Sequence, residues 1–230
     1  MKIKFYLLFL TLIGVDFSVS NANAQTYTPS NRTPDVDSTL NTQVSTNGNN
    51  FDITGGLSKG QTLFHSFTGF SIPNGKAANF DPQGNRDIIT RVTGSSLSDI
   101  NGTLNSNGAN FLLINPNGVV FGPNARLNVG KAFMASTANG INLVDSGGSA
   151  ITFGTNQNGD ALLKVAPNVL FNVSALNLGG GTGQISNFGT LKTTNSNQYV
   201  GLIGGNVAMN GGQITVPGGR VELEIGRAHV

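Results

Sequence analysis

The chain has 230 residues and a formal net charge of +2, and only 10% of its residues are charged. It contains 32 Gly and 30 Asn but no Cys, so a disulfide framework, a thiolate metal site and a Cys nucleophile are excluded. It has only two Glu, which argues against a helical protein, whereas a hydrophobic share of 38% is too high for a disordered chain. Short apolar segments separated by Gly and Asn are typical of an all-β protein with many turns.

The first 24 residues have the pattern of a secretory signal peptide. Two lysines precede a mostly apolar stretch over residues 5–19, and Ala22-Asn23-Ala24 then supplies the small residues that signal peptidases prefer. We expect cleavage between Ala24 and Gln25, which makes residues 1–24 a signal peptide and the general secretory translocase a partner. A transmembrane anchor is the alternative, but the apolar run of about 15 residues is shorter than the roughly 20 that a bilayer core requires.

Residues 25–100 differ in composition from the part of the chain that follows. They contain more Asp, Arg and Pro, and five Phe residues cluster between Phe51 and Phe80. The later part reads as stacked short strands, and such a stack needs its first coil covered, because an open end exposes apolar core and unpaired strand edges. We therefore predict that residues 25–100 form an N-terminal β cap and the first coils.

Residues 101–224 contain short apolar clusters at near-regular spacing. Gly, Asn, Ser or Pro separates most of them, and no window shows a sustained helical period. This pattern suits a parallel β-helix, in which each coil forms hydrogen bonds with the coils above and below. Asn tolerates left-handed corners, and stacked Asn side chains can form amide ladders along the axis. The clusters lie at 111–114, 119–121, 132–134, 141–144, 151–153, 169–173, 176–178, 184–185, 199–203, 206–209 and 213–216.

The most informative motif follows the apolar cluster at 111–114. Asn115-Pro116-Asn117-Gly118 reads as a tight turn. Pro116 suits the first corner position, Asn117 and Gly118 tolerate positive φ, and the Asn115 side chain can bond back to the backbone as an Asx turn. Taken alone, the motif indicates a structural corner between two strands.

Several further segments share a family pattern with this motif. They are Leu63–Phe70, which includes His65, Phe67 and Phe70, together with Ile88–Gly94, Phe121–Ala125, Val129–Gly130 and Phe133–Thr137. With the motif at 115–118 they resemble the two-partner-secretion domain, also called the filamentous haemagglutinin N-terminal or haemagglutination activity domain, of secreted exoproteins. Many members also carry an Asn-Pro-Asn-Leu motif in the first half. This chain lacks that motif, and Ile72-Pro73-Asn74-Gly75 resembles it only loosely.

The resemblance implies a right-handed parallel β-helix that directs its own export. Its partner would be a dedicated outer-membrane β-barrel transporter with periplasmic polypeptide-transport-associated domains. The protein would pass through the periplasm of a double-membrane bacterium to the cell surface or the medium. Residues 115–118 would be the transporter-recognition motif, and His65, Phe67 and Phe70 would be family-signature residues of the cap.

Three other functions also fit a β-helix: an adhesin that binds carbohydrate or host cells, the delivery end of a contact-dependent toxin, and a polysaccharide lyase. A lyase requires clustered carboxylates. The Asp residues here are mostly single, with Asp35 and Asp37, and Asp81 and Asp87, as the nearest pairs in sequence. His65 is expected to face inward and make one satisfied hydrogen bond. We therefore predict no catalytic residue, no metal site and no cofactor.

The last six residues are expected to be foreign to the natural protein. Residues 225–230 resemble the translation of a common sequencing adapter, and a natural basic tail is the alternative. If they are foreign, the natural chain continues beyond Leu223, and that continuation would make any contact with a host cell or surface ligand. Residues 25–224 contain ten basic and ten acidic side chains, so their charge favours neither a nucleic acid nor an anionic membrane as a partner.

Overall fold

A computed structural model of the protein describes residues 25–144, 150–154, 183–193, 196 and 198–225. The predicted signal peptide, residues 226–230 and the apolar clusters at 169–173 and 176–178 lie outside the described residues. Within them, the chain is nearly all strand and is wound into a β-solenoid of about six turns. The predicted all-β parallel β-helix is therefore confirmed.

Most strands of the described part are three to six residues long, because Gly, Asn or Pro interrupts the chain at each corner. In chain order they are β1 (Asp35–Val36), β2 (Thr42–Asn47), β3 (Asn50–Gly55), β4 (Leu57–Lys59), β5 (Thr62–Gly69), β6 (Ala77–Phe80), β7 (Asp87–Val92), β8 (Ser98–Ile100), β9 (Thr103–Asn105), β10 (Asn110–Ile114), β11 (Val119–Phe121), β12 (Arg126–Asn128), β13 (Ala132–Ser136), β14 (Gly140–Val144), β15 (Ala150–Gly154), β16 (Gln184–Asn187), β17 (Thr190–Lys192), β18 (Tyr199–Gly204), β19 (Asn206–Met209), β20 (Gln213–Thr215) and β21 (Arg220–Ile225). One 3-10 helix, Ser38–Leu40, lies between β1 and β2.

The turns of the solenoid pass in sequence through three parallel sheets. Sheet 1 contains β5-β7-β10-β13-β18-β21, sheet 2 contains β8-β11-β16-β19, and sheet 3 contains β3-β6-β9-β12, with β17 and β20 paired separately. The chain leaves this path after β13 and returns to it at β16, which pairs in register with β11. The excursion between β13 and β16 includes β14 and β15, and β18 then pairs in register with β13.

The interior is a continuous apolar column enclosed by the sheets. On sheet 1, Leu63, Ile88, Phe111, Phe133 and Val200 pair in register along successive strands and are buried in one core cluster. The Phe111 and Phe133 rings are nearly parallel, with centroids 6.4 Å apart. Burying each of these side chains contributes roughly 2 kcal/mol, so the column is the main stabilising feature of the fold.

The outer face of sheet 1 is also apolar and is covered. Phe64, Ile89, Leu112 and Met134 pair along successive strands there and form a second buried cluster. Leu40 of the 3-10 helix and side chains of β14 and β15 complete this cluster. Sheet 1 is therefore buried on both faces, which accounts for its nearly continuous apolar strands.

The pattern of the clusters at 141–144 and 151–153 predicts coil strands, and this prediction is wrong. The two clusters instead pair with each other as the antiparallel β14–β15 hairpin. Phe153 packs edge-on against Phe64 with ring centroids 5.2 Å apart, and Arg91 Cζ lies 4.7 Å from the centroid of the Phe153 ring. The physical reason is the apolar outer face of sheet 1, which buries a hairpin as effectively as a further coil buries a strand.

Antiparallel strands cover the start of the solenoid. β2 pairs with β3, and both β1 and β4 pair with β5. These strands protect the first turn from edge-to-edge association. The predicted N-terminal β cap is thus present.

A buried arginine ties the cap, the first coils and the hairpin together. Arg91 of β7 is 1% exposed, and its guanidinium donates to Ser66 Oγ at 2.9 Å, to Thr39 Oγ1 at 3.0 Å and to the Gly154 carbonyl. Ser66 Oγ donates in turn to Asp37 Oδ2 at 2.6 Å. Burial alone would raise the pKa of Asp37, but hydrogen bonds, led by the one from Ser66, outweigh burial and hold the pKa below its usual value. One polar network therefore fixes three elements that are distant in sequence.

An amide ladder runs along the outer side of sheet 3. Asn79 Nδ2 donates to Asp52 Oδ1 at 2.9 Å, Asn105 Nδ2 to Asn79 Oδ1 at 3.4 Å, and Asn128 Nδ2 to Asn105 Oδ1 at 3.2 Å. At the corners, Asn41 and Asn107 adopt positive φ. Both roles predicted for Asn are confirmed.

Candidate functional site

The motif at 115–118 forms the corner between β10 of sheet 1 and β11 of sheet 2. The Gly118 amide donates to the Asn115 carbonyl at 3.1 Å, and Asn115 Oδ1 accepts from the Asn117 amide at 3.0 Å, which is the predicted Asx turn. Pro116 occupies the second turn position, where its fixed φ fits. Gly118 has a φ of 121°, whereas Asn117 is not among the positive-φ residues of the described chain.

The Asn115 side chain also joins its corner to the preceding turn. It is 0% exposed, and its Nδ2 donates to the Ser96 carbonyl at 3.0 Å and to Ser98 Oγ at 2.9 Å. The Asn115 amide donates to the carbonyl of Ser136 in the following turn at 2.9 Å. A single residue thus connects three consecutive turns of the solenoid.

The corner requires glycine because another backbone lies against it. A Cβ on Gly118 would lie 2.8 Å from the Gln184 carbonyl oxygen, and a Cβ on Gly183 would meet the Pro116 carbonyl even more closely. The positive φ of Gly118 also disfavours any other residue. This close contact places the next strand of sheet 2 directly on the motif.

Only part of the corner faces solvent. Asn117 is exposed and Pro116 is half-buried, and Asn117 Nδ2 donates to the Gly94 carbonyl at 2.7 Å. Leu97, which lies between the two residues that Asn115 contacts, is 41% exposed. The sequence analysis did not identify Leu97 as a neighbour of the motif. Its only mark in the sequence is that it is the single apolar residue in the serine-rich segment 95–98. The accessible surface of the folded corner is therefore small.

The family-signature residues of the cap lie elsewhere, inside the first turn. The rings of Phe67 and Phe70 have centroids 5.1 Å apart, and the His65 ring centroid lies 5.4 Å from that of Phe80. All four side chains are buried. In the folded domain these residues form core packing rather than a surface, and they are separate from the motif at 115–118.

His65 is a neutral core histidine. Its Nδ1 lies 3.3 Å from Thr42 Oγ1, which is the single hydrogen bond expected for it, and its Nε2 has no partner among the described residues. Thr90, its register partner on β7, likewise has a buried hydroxyl without a partner there. Burial lowers the pKa of His65 to about 4, so the ring is uncharged at neutral pH.

The carboxylates singled out in the sequence hold the fold together locally. Asp81 Oδ1 accepts from the Gln83 amide at 2.9 Å and shapes its loop. Asp87 pairs with Arg86 Nη2 at 2.7 Å and accepts from Asn110 Nδ2 at 2.7 Å. Across the described residues, no group of three or more His, Asp or Glu side chains is placed to hold a metal ion.

The predicted cleavage site is only partly visible, because Ala24 lies outside the described residues and Gln25 is the first residue within them. In the part of the chain that the structure describes, no helix is both long and apolar enough to cross a membrane.

These features define a capped β-solenoid whose conspicuous polar site is an Asn-Pro-Asn-Gly corner. The family model of the TPS secretion domain matches residues 32–229, so the chain belongs to the TPS secretion domain family of two-partner secretion. Among solved structures, the crystal structure of the filamentous hemagglutinin secretion domain is similar, with 14% identity, a TM-score of 0.41, and coverage of 81% of this chain and 100% of that chain. No match was found among curated proteins.

Membership in this family assigns the chain to a secreted exoprotein and implies a partner transporter. The domain is therefore a secretion domain, and its role belongs to two-partner secretion.

Proposed function

We propose that the domain is recognised while unfolded in the periplasm by the polypeptide-transport-associated domains of an outer-membrane β-barrel transporter, with residues 115–118 as the recognition motif. The observation that carries this proposal is the burial of Asn115, whose side chain is enclosed by Ser96 and Ser98 of the preceding turn. A transporter can contact that side chain only before the corner forms. Recognition therefore precedes folding.

The extended form of this region is suited to such recognition. Residues 110–121 comprise an apolar strand, a polar turn and a second strand, with no charged side chain among them. An unfolded segment of this kind can add as a strand to an exposed sheet edge, where main-chain hydrogen bonds give affinity and side chains give specificity. The Asn and Pro side chains of the motif then distinguish this segment from other extended segments.

Folding outside the cell begins at the cap and proceeds coil by coil. The β2–β3 and β4–β5 pairs join strands that are close in sequence, so they form with little loss of loop entropy. Each later turn then stacks on the one before it. Because each folded turn opposes backsliding, the stacking gives export a direction.

The remaining parts of the proposal concern location and chemistry. Residues 1–24 deliver the chain to the periplasm through the general secretory translocase, with cleavage between Ala24 and Gln25. The domain acts by binding and folding and catalyses no reaction, since Asp81 and Asp87 serve the loops and an ion pair.

Release from cells tests the proposal. The full chain is expressed with and without its cognate transporter, and the protein in the medium is measured for the wild type and for Asn117→Ala. We expect release only with the transporter, and a loss of about tenfold for Asn117→Ala, as for one or two lost hydrogen bonds. Because Asn117 is exposed, its free energy of unfolding should change by less than about 1 kcal/mol.

Asn124→Ala is the matched control, since Asn124 is an exposed residue of a Pro-Asn turn one corner later. This variant should be released like the wild type. Equal release with and without the transporter, or normal release of Asn117→Ala, would contradict the proposal.

A further inference from the structure

Residues 25–30, here called the strap, form no strand and lie across the carboxyl ends of the sheet 2 strands. Gln25 Oε1 accepts from Asn210 Nδ2 at 3.4 Å, and the Tyr27 and Phe188 ring centroids are 5.4 Å apart. At the far end of the strap, the Ser30 amide donates to Asp99 Oδ2 at 2.6 Å. The first described residues of the chain therefore contact some of its last turns.

From Gln25 to Ser30, the strap runs from a late turn of the solenoid to an early one. Phe121, Asn187 and Met209 are paired in register on sheet 2, so the residues that follow them form a column at its exit corner. Asp99 lies on β8, one strand beyond β11. From the turn of Asn210 to that of Asp99 there are three strand spacings of about 4.8 Å, or roughly 14 Å, which matches the reach of five extended residues at about 3.3 Å each.

The Asp99 carboxylate accepts the hydrogen bonds that hold the strap in place. Asp99 is 2% exposed, and the Tyr27 hydroxyl donates to its carboxylate, 2.9 and 3.0 Å from the two oxygens. Burial raises the pKa of Asp99, and the hydrogen bonds from Ser30 and Tyr27 oppose this rise. Removal of the strap would therefore deprive this buried carboxylate of the donors from Tyr27 and Ser30.

Gly122 leaves room for the tyrosine. A Cβ on Gly122 would lie 2.7 Å from Tyr27 Cζ, so the ring sits directly against the backbone of the column. The Tyr27 ring bridges this glycine and Phe188, which directly follow β11 and β16, two neighbouring strands of sheet 2.

We propose that the strap docks after the turns have formed and slows their unwinding. In a solenoid each turn contacts only its neighbours, so the terminal turns can unwind singly. The strap adds contacts across four turns, and its docking surface does not exist until those turns are stacked. An interaction that is absent from the folding transition state lowers the unfolding rate and leaves the folding rate unchanged.

Refolding and unfolding rates of the purified protein, measured by rapid dilution into and out of denaturant, test this inference. Tyr27→Phe removes the hydroxyl and keeps the ring. We expect it to unfold about fivefold to tenfold faster and to refold within about twofold of the wild-type rate. Asp99→Asn should have a similar effect, and the double variant should be little faster than either single one, because both changes act through one contact. Amide exchange in β19 should also quicken.

Thr28→Ala is the matched control, since Thr28 is an exposed neighbour in the strap, and both of its rates should equal the wild-type rates. Slower refolding of Tyr27→Phe with an unchanged unfolding rate would place the strap in the folding nucleus and overturn the inference. Wild-type rates for both Tyr27→Phe and Asp99→Asn would also overturn it. No transporter takes part in these measurements, so their outcome is independent of the proposed function.

Discussion

Asn115 combines a local turn with contacts between turns. Its Oδ1 closes the Asx turn, while its Nδ2 bonds the preceding corner at Ser96 and Ser98. Asp would keep the first role and lose the second, because a carboxylate has no hydrogen to donate. Position 115 therefore requires Asn more strictly than a solvent-exposed turn position would.

The pH dependence of stability follows from His65. Its pKa is about 4 in the folded domain and about 6.5 when unfolded, so between these values the unfolded chain binds a proton that the folded one does not. The contribution of the neutral ring is complete above pH 6.5 and is lost as the pH falls towards 4. We expect the free energy of unfolding to decrease over this window by about 3 kcal/mol more in the wild type than in His65→Leu.

Urea unfolding of both proteins at several pH values between 4 and 7.5 measures this difference. The comparison with His65→Leu removes the contribution of the carboxylates, which both proteins share. An identical pH dependence in the two proteins would show that His65 is not buried as a neutral ring.

At the residue scale, the sequence predicts roles that depend on near neighbours. The Asx turn of Asn115 needs only the next residues, and the inward face of His65 follows from its alternation with Leu63 and Phe67. The partners of Asp99 could not be predicted, because Tyr27 is 72 positions away and lies in a polar segment without periodicity. Contacts of this kind depend on the assembled turns.

Among the elements, the β14–β15 hairpin is held to the solenoid by buried Ile141, Leu143 and Phe153. The Phe153 ring contacts Phe64 on the outer face of sheet 1 and lies under the Arg91 guanidinium. Truncating a buried Phe to Ala costs about 3–5 kcal/mol where the site cannot collapse. A hairpin packed on the outer face of sheet 1 can instead detach, which limits the loss to its own docking energy.

We therefore expect Phe153→Ala to release the hairpin while the solenoid stays folded. Amide exchange in β14 should become faster, exchange in sheet 2 should stay at the wild-type rate, and the uncovered face at Phe64, Leu112 and Met134 should bind an apolar dye. Phe121→Ala is the matched control, because Phe121 is buried in the inner column and its loss should speed exchange throughout. Equally faster exchange in β14 and sheet 2 of Phe153→Ala would contradict an independently docked hairpin.

Short-strand patterns predict the solenoid better than the excursion from it. The clusters at 119–121 and 151–153 have similar length and apolar character, yet one stacks in sheet 2 and the other pairs in the hairpin. The choice depends on which apolar face is free, and a single sequence does not reveal which segment covers the outer face of sheet 1. The amide ladder could be predicted because it follows from the stacking alone.

At the scale of the whole molecule, the first and the last described turns of the solenoid differ. The cap closes the first turn with antiparallel strands, whereas β21 lies at the far edge of sheet 1. The inner column and the ladder on sheet 3 repeat from turn to turn, so each folded turn presents a template for the next. This polarity supports the proposal that the chain is exported unfolded and folds progressively.

Binding of the unfolded and the folded protein to the periplasmic domains of the cognate transporter tests the central claim most directly. The full chain is measured in folded form and at a urea concentration that unfolds it but leaves the transporter domains folded. We expect the unfolded wild type to bind, the folded protein not to bind, and unfolded Asn115→Asp to bind about tenfold more weakly, as for a lost hydrogen bond. Equal binding of the folded protein, or undiminished binding of unfolded Asn115→Asp, would contradict recognition of the motif before folding.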